Sequence, residues 1–226
     1  MNILVVAAHP DDEVLGAGAT MYKLAEDGAQ VTVCVLSGAV KARSRRPSDE
    51  DLTSDISASS DMLGIRRFIR GDFPNVAFNT QPHLHLVQFI EKALLETEPD
   101  IVITHHPADT NNDHLHTSLA CQAAIRLFQR RDGVKPVGEL WYMEVPSATD
   151  WSVNRAMAPF TPNTFVEVGA EGVERKIAAL SRYRDVMRPY PHPRSPETLR
   201  GLAACRGSQA GLLYAEAFEC AFRRWQ

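Results

Sequence analysis

The chain has 226 residues, 44% of them hydrophobic, with 24 basic against 28 acidic side chains and a formal net charge of −4. That length and apolar content suit one globular domain, 1–226, with a sizeable core. The acidic balance excludes a general electrostatic attraction for nucleic acid or an anionic membrane, with Lys41, Arg43, Arg45 and Arg46 as the one local exception.

No run approaches the roughly 18–20 apolar residues of a membrane span. The apolar stretch at the start is too short for a signal peptide and lacks a basic region before it. The four cysteines show no CxxC pairing, so we expect reduced thiols packed as small hydrophobes in a cytoplasmic protein.

Residues 2–8 read as a strand buried on both faces, and Val14 to Asp27 as a helix ending before Gly28. Val31 to Leu36 is a β-branched strand closed by Ser37 and Gly38, and residues 39–50 form a polar, basic loop. A helix over Leu52 to Leu63 stops at Gly64, with a short strand from Arg66 to Ile69 after it. Leu84, Val87, Phe89, Ile90, Leu94 and Leu95 give the apolar stripe of a helix over Leu84 to Glu96. Another buried strand, Ile101 to Thr104, runs straight into His105 and His106. A helix from about Asp113 to Arg130 and a strand from Leu140 to Val145 follow. Residues 146–163 are irregular, then Phe165 to Val168 reads as a strand and Glu171 to Tyr183 as a helix. Pro189, Pro191, Pro193 and Pro196 stiffen a loop before a last helix, Glu197 to Cys205. This alternation predicts an α/β fold with a mostly parallel sheet covered on both faces.

Two of these strands end in clusters of polar residues. The first runs into His9, Asp11, Asp12 and Glu13, the second into the segment His105 to His116. In a parallel sheet both clusters lie at the carboxyl end, where ligands bind. Histidines and carboxylates gathered there can hold a cation such as zinc and leave one carboxylate for proton transfer. Competing motifs fail. Gly16 and Gly18 lack the third glycine of a dinucleotide loop, since Met21 stands in its place, and neither a Walker A motif nor a G-x-S-x-G elbow is present.

Ala8-His9-Pro10-Asp11-Asp12-Glu13 with Gly16 and Gly18 resembles the opening motif of the PIG-L/LmbE-like deacetylases. Asp109-Thr110-Asn111-Asn112-Asp113-His114 stands where that family's second motif, commonly D-x-H-P-D-H, is expected. The likeness extends through Met62 to Ile65, Glu144 to Ser147, Arg206 to Ser208 and Tyr214 to Phe218. It implies a Rossmann-like three-layer sandwich, one zinc ion, and hydrolysis of an N-acetyl group from an amino sugar or its conjugate. It further implies His9, Asp12 and His114 as metal ligands and Asp11 as general base.

Around that set, Asp113 is expected to orient a neighbour or to cap the following helix. Glu13 should serve the positive end of the first helix or a hydrogen-bond network. His116, two residues beyond His114, should face away, while His105 or His106 is in reach of substrate. Asn111 departs from the family pattern, standing where many members carry histidine; it can donate to an oxyanion but cannot titrate. The leaving amine would then take its proton from Asp11 or from His192 in the proline-rich loop. Trp151 is the expected stacking platform for a sugar ring, and the Arg43–Arg46 loop a contact for an anionic substituent. A zinc amidase on a non-sugar N-acyl substrate, and a binding protein with an inactive metal site, are the alternatives. The sequence leaves oligomeric state open, a homo-oligomer included.

Overall fold

The computed structural model describes residues 1–38, 47–153 and 157–225. The basic cluster Lys41 to Arg46 lies outside the described residues. Seven strands form one sheet: β1 (Asn2–Ala7), β2 (Gln30–Val35), β3 (Arg67–Arg70), β4 (Ile101–His105), β5 (Glu139–Met143), β6 (Thr164–Glu167) and β7 (Ala215–Arg223). Their order is β3-β2-β1-β4-β5-β7-β6. The first five are mutually parallel, and β7 runs antiparallel between β5 and β6.

Six helices cover the sheet: α1 (Asp12–Glu26), α2 (Asp49–Met62), α3 (His83–Thr97), α4 (Asn112–Ala124), α5 (Gly169–Leu180) and α6 (Pro196–Gln209). Successive side chains of a strand point to opposite faces, so β1 feeds two cores. Ile3, Val5 and Ala7 pack with residues of α1, α2, α5 and α6, whereas Leu4, Val6 and Ala8 pack with α3 and α4. The result is the expected three-layer α/β sandwich. The helix expected to reach Arg130 ends at Ala124; its continuation tightens to a 3-10 turn at Leu127–Gln129 that buries Leu127. Cys34 and Cys121 are buried, but Cys205 is exposed and Cys220 half-exposed, so only two of the four thiols behave as core hydrophobes.

Strand β7 has no counterpart in the sequence reading, although Ala215, Ala217 and Phe218 are buried within it. It also carries the most consequential buried charge outside the site. Helix α1 is broken at Ala17 (φ −143°, ψ 16°), which leaves amides without helical acceptors. Glu216 on β7 supplies them, accepting from Ala19 N (3.2 Å) and Thr20 N (2.7 Å), and from Lys176 Nζ of α5 (2.6 Å). Gly16, just before the break, lets α1 approach β5, since a Cβ there would lie 2.4 Å from Met143 Sδ. The glycines that mimic a dinucleotide loop therefore serve packing.

Removing one member of a buried ion pair strands the other. Glu216→Ala should lower unfolding free energy by about 3–5 kcal/mol, a fall in Tm of about 10 °C for a chain of this size, measured by urea and thermal denaturation.

Candidate metal centre

Strand order decides where the site can be. Crossovers from β1 go one way to β2 and β3 and the other way to β4 and β5, so a crevice opens outside the carboxyl ends of β1 and β4. The turn after β1 delivers His9, Asp11 and Asp12; the turn after β4 and the start of α4 deliver Asp109, Asn111, Asp113 and His114. His9, Asp11, Asp12, Asn111, His114 and Arg194 all line this crevice, of about 640 Å³.

Three buried side chains meet at its floor. His9 Nδ1 and His114 Nε2 each lie 3.1 Å from Asp12 Oδ2, and the three ligand atoms fall within 4.8 Å of one another. Ligands at about 2.0–2.1 Å from a tetrahedral zinc sit about 3.3 Å apart, so the spacing fits. His114 Nε2 is buried and, despite Asp12 beside it, has no partner in hydrogen-bonding geometry among the described residues. An unpartnered ring nitrogen beside a carboxylate oxygen is what a cation site presents.

The far side of each histidine is backed by another carboxylate. His9 Nε2 donates to Asp113 Oδ2 (2.9 Å), and His114 Nδ1 to Asp109 Oδ2 (3.0 Å). Such backing fixes the tautomer, aims the other nitrogen inward and makes it more basic. Burial works against charge on His114, but Asp12 and Asp109 outweigh it and carry the imidazole up to about 10. His9 rises likewise, with Asp113 and Asp12 overcoming burial. Burial also opposes charge on Asp12, yet His114 and His9 hold its carboxyl well below the usual range. The floor of the crevice thus calls for positive charge.

A second set with metal-ligand spacing, His105, Asp109 and His114, shares one histidine with the first. It is only partly engaged: His105 Nε2 accepts from Ala8 N (2.8 Å) and Asp109 Oδ2 from His114 Nδ1, while His105 Nδ1 and Asp109 Oδ1 are buried without a hydrogen-bond partner among the described residues. His105 is fully buried and stacks on His114 at 3.8 Å between ring centroids. Burial and the neighbouring His114 hold it well below its ordinary range, hence neutral. His106 packs edge-on between Tyr142 and Phe160, and its Nδ1 accepts from Ala108 N. Neither histidine lines the metal crevice: His105 stacks behind His114, and His106 lines a separate cavity of about 450 Å³ with Ala108, Ser152 and Phe160.

Backbone strain gathers around the same crevice. Among the described residues five non-glycine residues have positive φ, and three of them, Asp11 (105°), Val76 (58°) and Ser147 (71°), line it. Such conformations persist only where neighbours enforce them. Glu13 accepts from Asp11 N (3.0 Å) while Tyr183 Oη donates to its other oxygen (2.6 Å). Asp113 accepts from Val76 N (2.6 Å) and Phe78 N (2.9 Å). Arg194 Nε donates to Ser147 Oγ (2.7 Å). Burial pushes Glu13 up, Tyr183's hydrogen bond pulls it back, and it settles up to about 8. Glu13 is therefore a clamp on the Asp11 backbone, the hydrogen-bond alternative of the two expected for it.

The remaining candidates divide. Asn111 caps α4, its Oδ1 accepting from Asp113 N (2.9 Å), so Asp113 is not the cap. His192 is not among the residues lining the crevice; its Nδ1 accepts from Arg194 N (3.0 Å) and its ring meets Trp151 edge-on at 5.5 Å. The proline-rich loop sends in Arg194 instead, whose Nη1 stands 3.6 Å from Asp11 Oδ2. Nothing in the spacing of the sequence marks Arg194; only the fold brings residues 11, 147 and 194 together. Trp151 does line the crevice and is half exposed.

A family model described as PIG-L, GlcNAc-PI de-N-acetylase, matches residues 4–125, which carry both polar strand ends. The chain belongs to the PIG-L family. It is 26% identical over 191 residues to the uncharacterized deacetylase YaiS of Escherichia coli (strain K12), covering 81% of this chain and 90% of that protein. Among solved structures, the conserved protein TT1542 from Thermus thermophilus aligns with TM-score 0.80 and 24% identity over 99% of this chain and 96% of the other. N,N'-diacetylchitobiose deacetylase from Pyrococcus horikoshii aligns with TM-score 0.77 and 20% identity over 97% and 83%. The 4-carboxy-2-hydroxymuconate hydratase GalB of Pseudomonas putida KT2440 aligns with TM-score 0.76 and 23% identity over 100% and 98%. A hydratase and a deacetylase thus share this fold, and the residues of the crevice must carry the choice between reactions. Among the described residues no helix is long and apolar enough to cross a membrane.

Asp109→Asn keeps a hydrogen-bond acceptor for His114 but removes the charge behind it. Zinc affinity should fall about 10–100-fold, read by competition with a chromogenic chelator, with little change in the circular-dichroism spectrum.

Proposed function

We propose that the protein is a zinc-dependent N-deacetylase that hydrolyses the acetamido group of an amino sugar or its conjugate. The observation that carries the reading is a three-donor site, His9, Asp12 and His114, open to a crevice with a buried carboxylate, Asp11, on its wall. Family membership and the deacetylases among its relatives support the same chemistry. Zinc held there would supply Lewis acidity toward the amide carbonyl and bring the pKa of a water down to about 7.

The protein's own groups divide the remaining work. Asp11 is held by the Glu13 clamp in a left-handed conformation at the head of α1, with its carboxylate in the crevice. It takes the proton of the attacking water as the acyl carbon is approached. When the C–N bond breaks, Asp11 returns that proton to the nitrogen, so acetate and a free amine leave. His192, outside the crevice, is not needed for this step. Asn111 uses its carbonyl oxygen on the helix amide, which leaves its amide nitrogen as the end that can donate to the acyl oxygen. Asn111 then contributes a dipole in the place of a titrating group. Asp113 and Asp109 hold His9 and His114 in register, and Trp151 offers its ring to the sugar.

Asp11→Asn should retain stoichiometric zinc while kcat falls about 10²–10⁴-fold, whereas His114→Ala should lose the metal. Metal analysis and acetate release from a panel of N-acetylated sugars and N-acyl amino acids test both. Full activity in Asp11→Asn would remove it as the base, and acetate released only from the amino acids would replace the sugar by a non-sugar amide.

A further inference from the structure

The loop that delivers Arg194 also builds a second surface beside the crevice. A depression of about 590 Å³ is lined by Trp151, Arg188, Tyr190, His192 and three prolines. Trp151 lines both this depression and the metal crevice, so the two adjoin across its ring. Trp151 and Tyr190 are 51% and 68% exposed, an unusual display of aromatic surface next to a reaction site.

The loop is stapled to itself and to α6. His192 N donates to Pro189 O (3.2 Å), Ser195 N and Thr198 Oγ1 donate to His192 O (2.9 and 3.2 Å), and Arg188 N donates to Arg194 O (3.4 Å). One rigid turn therefore carries two guanidiniums. Arg194 has Nε committed to Ser147 and directs Nη1 into the crevice. Arg188 is exposed and forms no ion pair with an acid among the described residues. The charged groups around the His192 ring are Arg194, Arg188 and, in opposition, Asp150; burial and the two arginines hold that imidazole below its ordinary range. The turn thus sets Arg188 on the depression, faced with aromatic and proline carbon, and Arg194 in the adjoining crevice, on either side of the Trp151 ring that both share.

Guanidinium forks match the geometry of phosphate and carboxylate oxygens, and they do so best when held in place before the ligand arrives. We propose that this turn is a subsite for an oxyanion on the substrate, a phosphate at the anomeric carbon of the N-acetylated sugar, bound by Arg188 and Arg194 while Trp151 and Tyr190 cover the ring. The substrate class becomes a glycosyl phosphate, a refinement that rests on the deacetylase reading.

Calorimetric titration of zinc-loaded Asp11→Asn protein separates binding from turnover. N-acetylglucosamine 1-phosphate should bind at least about ten-fold tighter than the neutral methyl N-acetylglucosaminide. That advantage should shrink to below about three-fold with Arg188→Gln added, persist with Arg188→Lys, and weaken in about 0.5 M salt. Equal binding of the two sugars, or an advantage that Arg188→Gln and Arg194→Gln leave intact, overturns the subsite. Acetate release by the wild-type protein is scored separately. A phosphate advantage without acetate from either sugar would remove the deacetylase reading and leave the oxyanion subsite standing.

Discussion

Three carboxylates, Asp12, Asp109 and Asp113, are buried against two histidines at the carboxyl ends of β1 and β4. Taking that much charge out of water costs several kcal/mol per ion unless each is paired and hydrogen-bonded. The structure meets the requirement in layers. Asp113 and Asp109 direct their charge at His9 and His114, which in turn face Asp12, and the innermost position is left for a cation. Much of the surrounding architecture serves that arrangement: His105 buttresses His114 by stacking, and Asp113 ties the Val76–Phe78 segment to the start of α4.

Holding the proposed base is a separate problem from holding the candidate ligands. Asp11 sits between Pro10 and the candidate ligand Asp12, at the head of α1, where it lines the crevice. It does so at φ 105°, a conformation that costs of order 1–3 kcal/mol. Glu13 and Tyr183 enforce it from behind. Val76 is held by the same device, its N–H gripped by Asp113, while Ser147 is tied through its Oγ to Arg194. Geometry at the crevice is thereby fixed before substrate arrives, which is how electrostatic catalysis avoids reorganisation during the reaction.

The fold also shows why one scaffold can host different reactions. The metal set and its backing come from the turns after β1 and β4, whereas Ser147, Trp151 and Arg194 come from connections that no sheet hydrogen bond constrains. Variation in those connections changes what the crevice accepts without disturbing the cation site. Asn111 sits at the seam, capping α4 with one end of its amide and bordering the crevice, so asparagine at this position keeps the helix start intact.

What the sequence alone determined follows from local rules. The helix and strand periodicities, the two polar strand ends and the motif around His9 to Glu13 are legible because each depends on residues within a few positions of one another. From the periodicities came the parallel sheet, and from the family resemblance of the motif the candidate metal ligands and Asp11 as the expected base. Strand β7 was not legible: it is an antiparallel insertion whose partners lie about 80 and 50 residues away, and pairing at that distance leaves only a weak alternation in the chain. The same holds for Tyr183 behind Glu13, Asp113 behind His9, and Arg194 in the crevice in place of His192. Tertiary structure alone decided these, because a hydrogen bond between distant residues is set by where the sheet order and the loop staples bring the backbone, and no spacing in the sequence encodes that meeting.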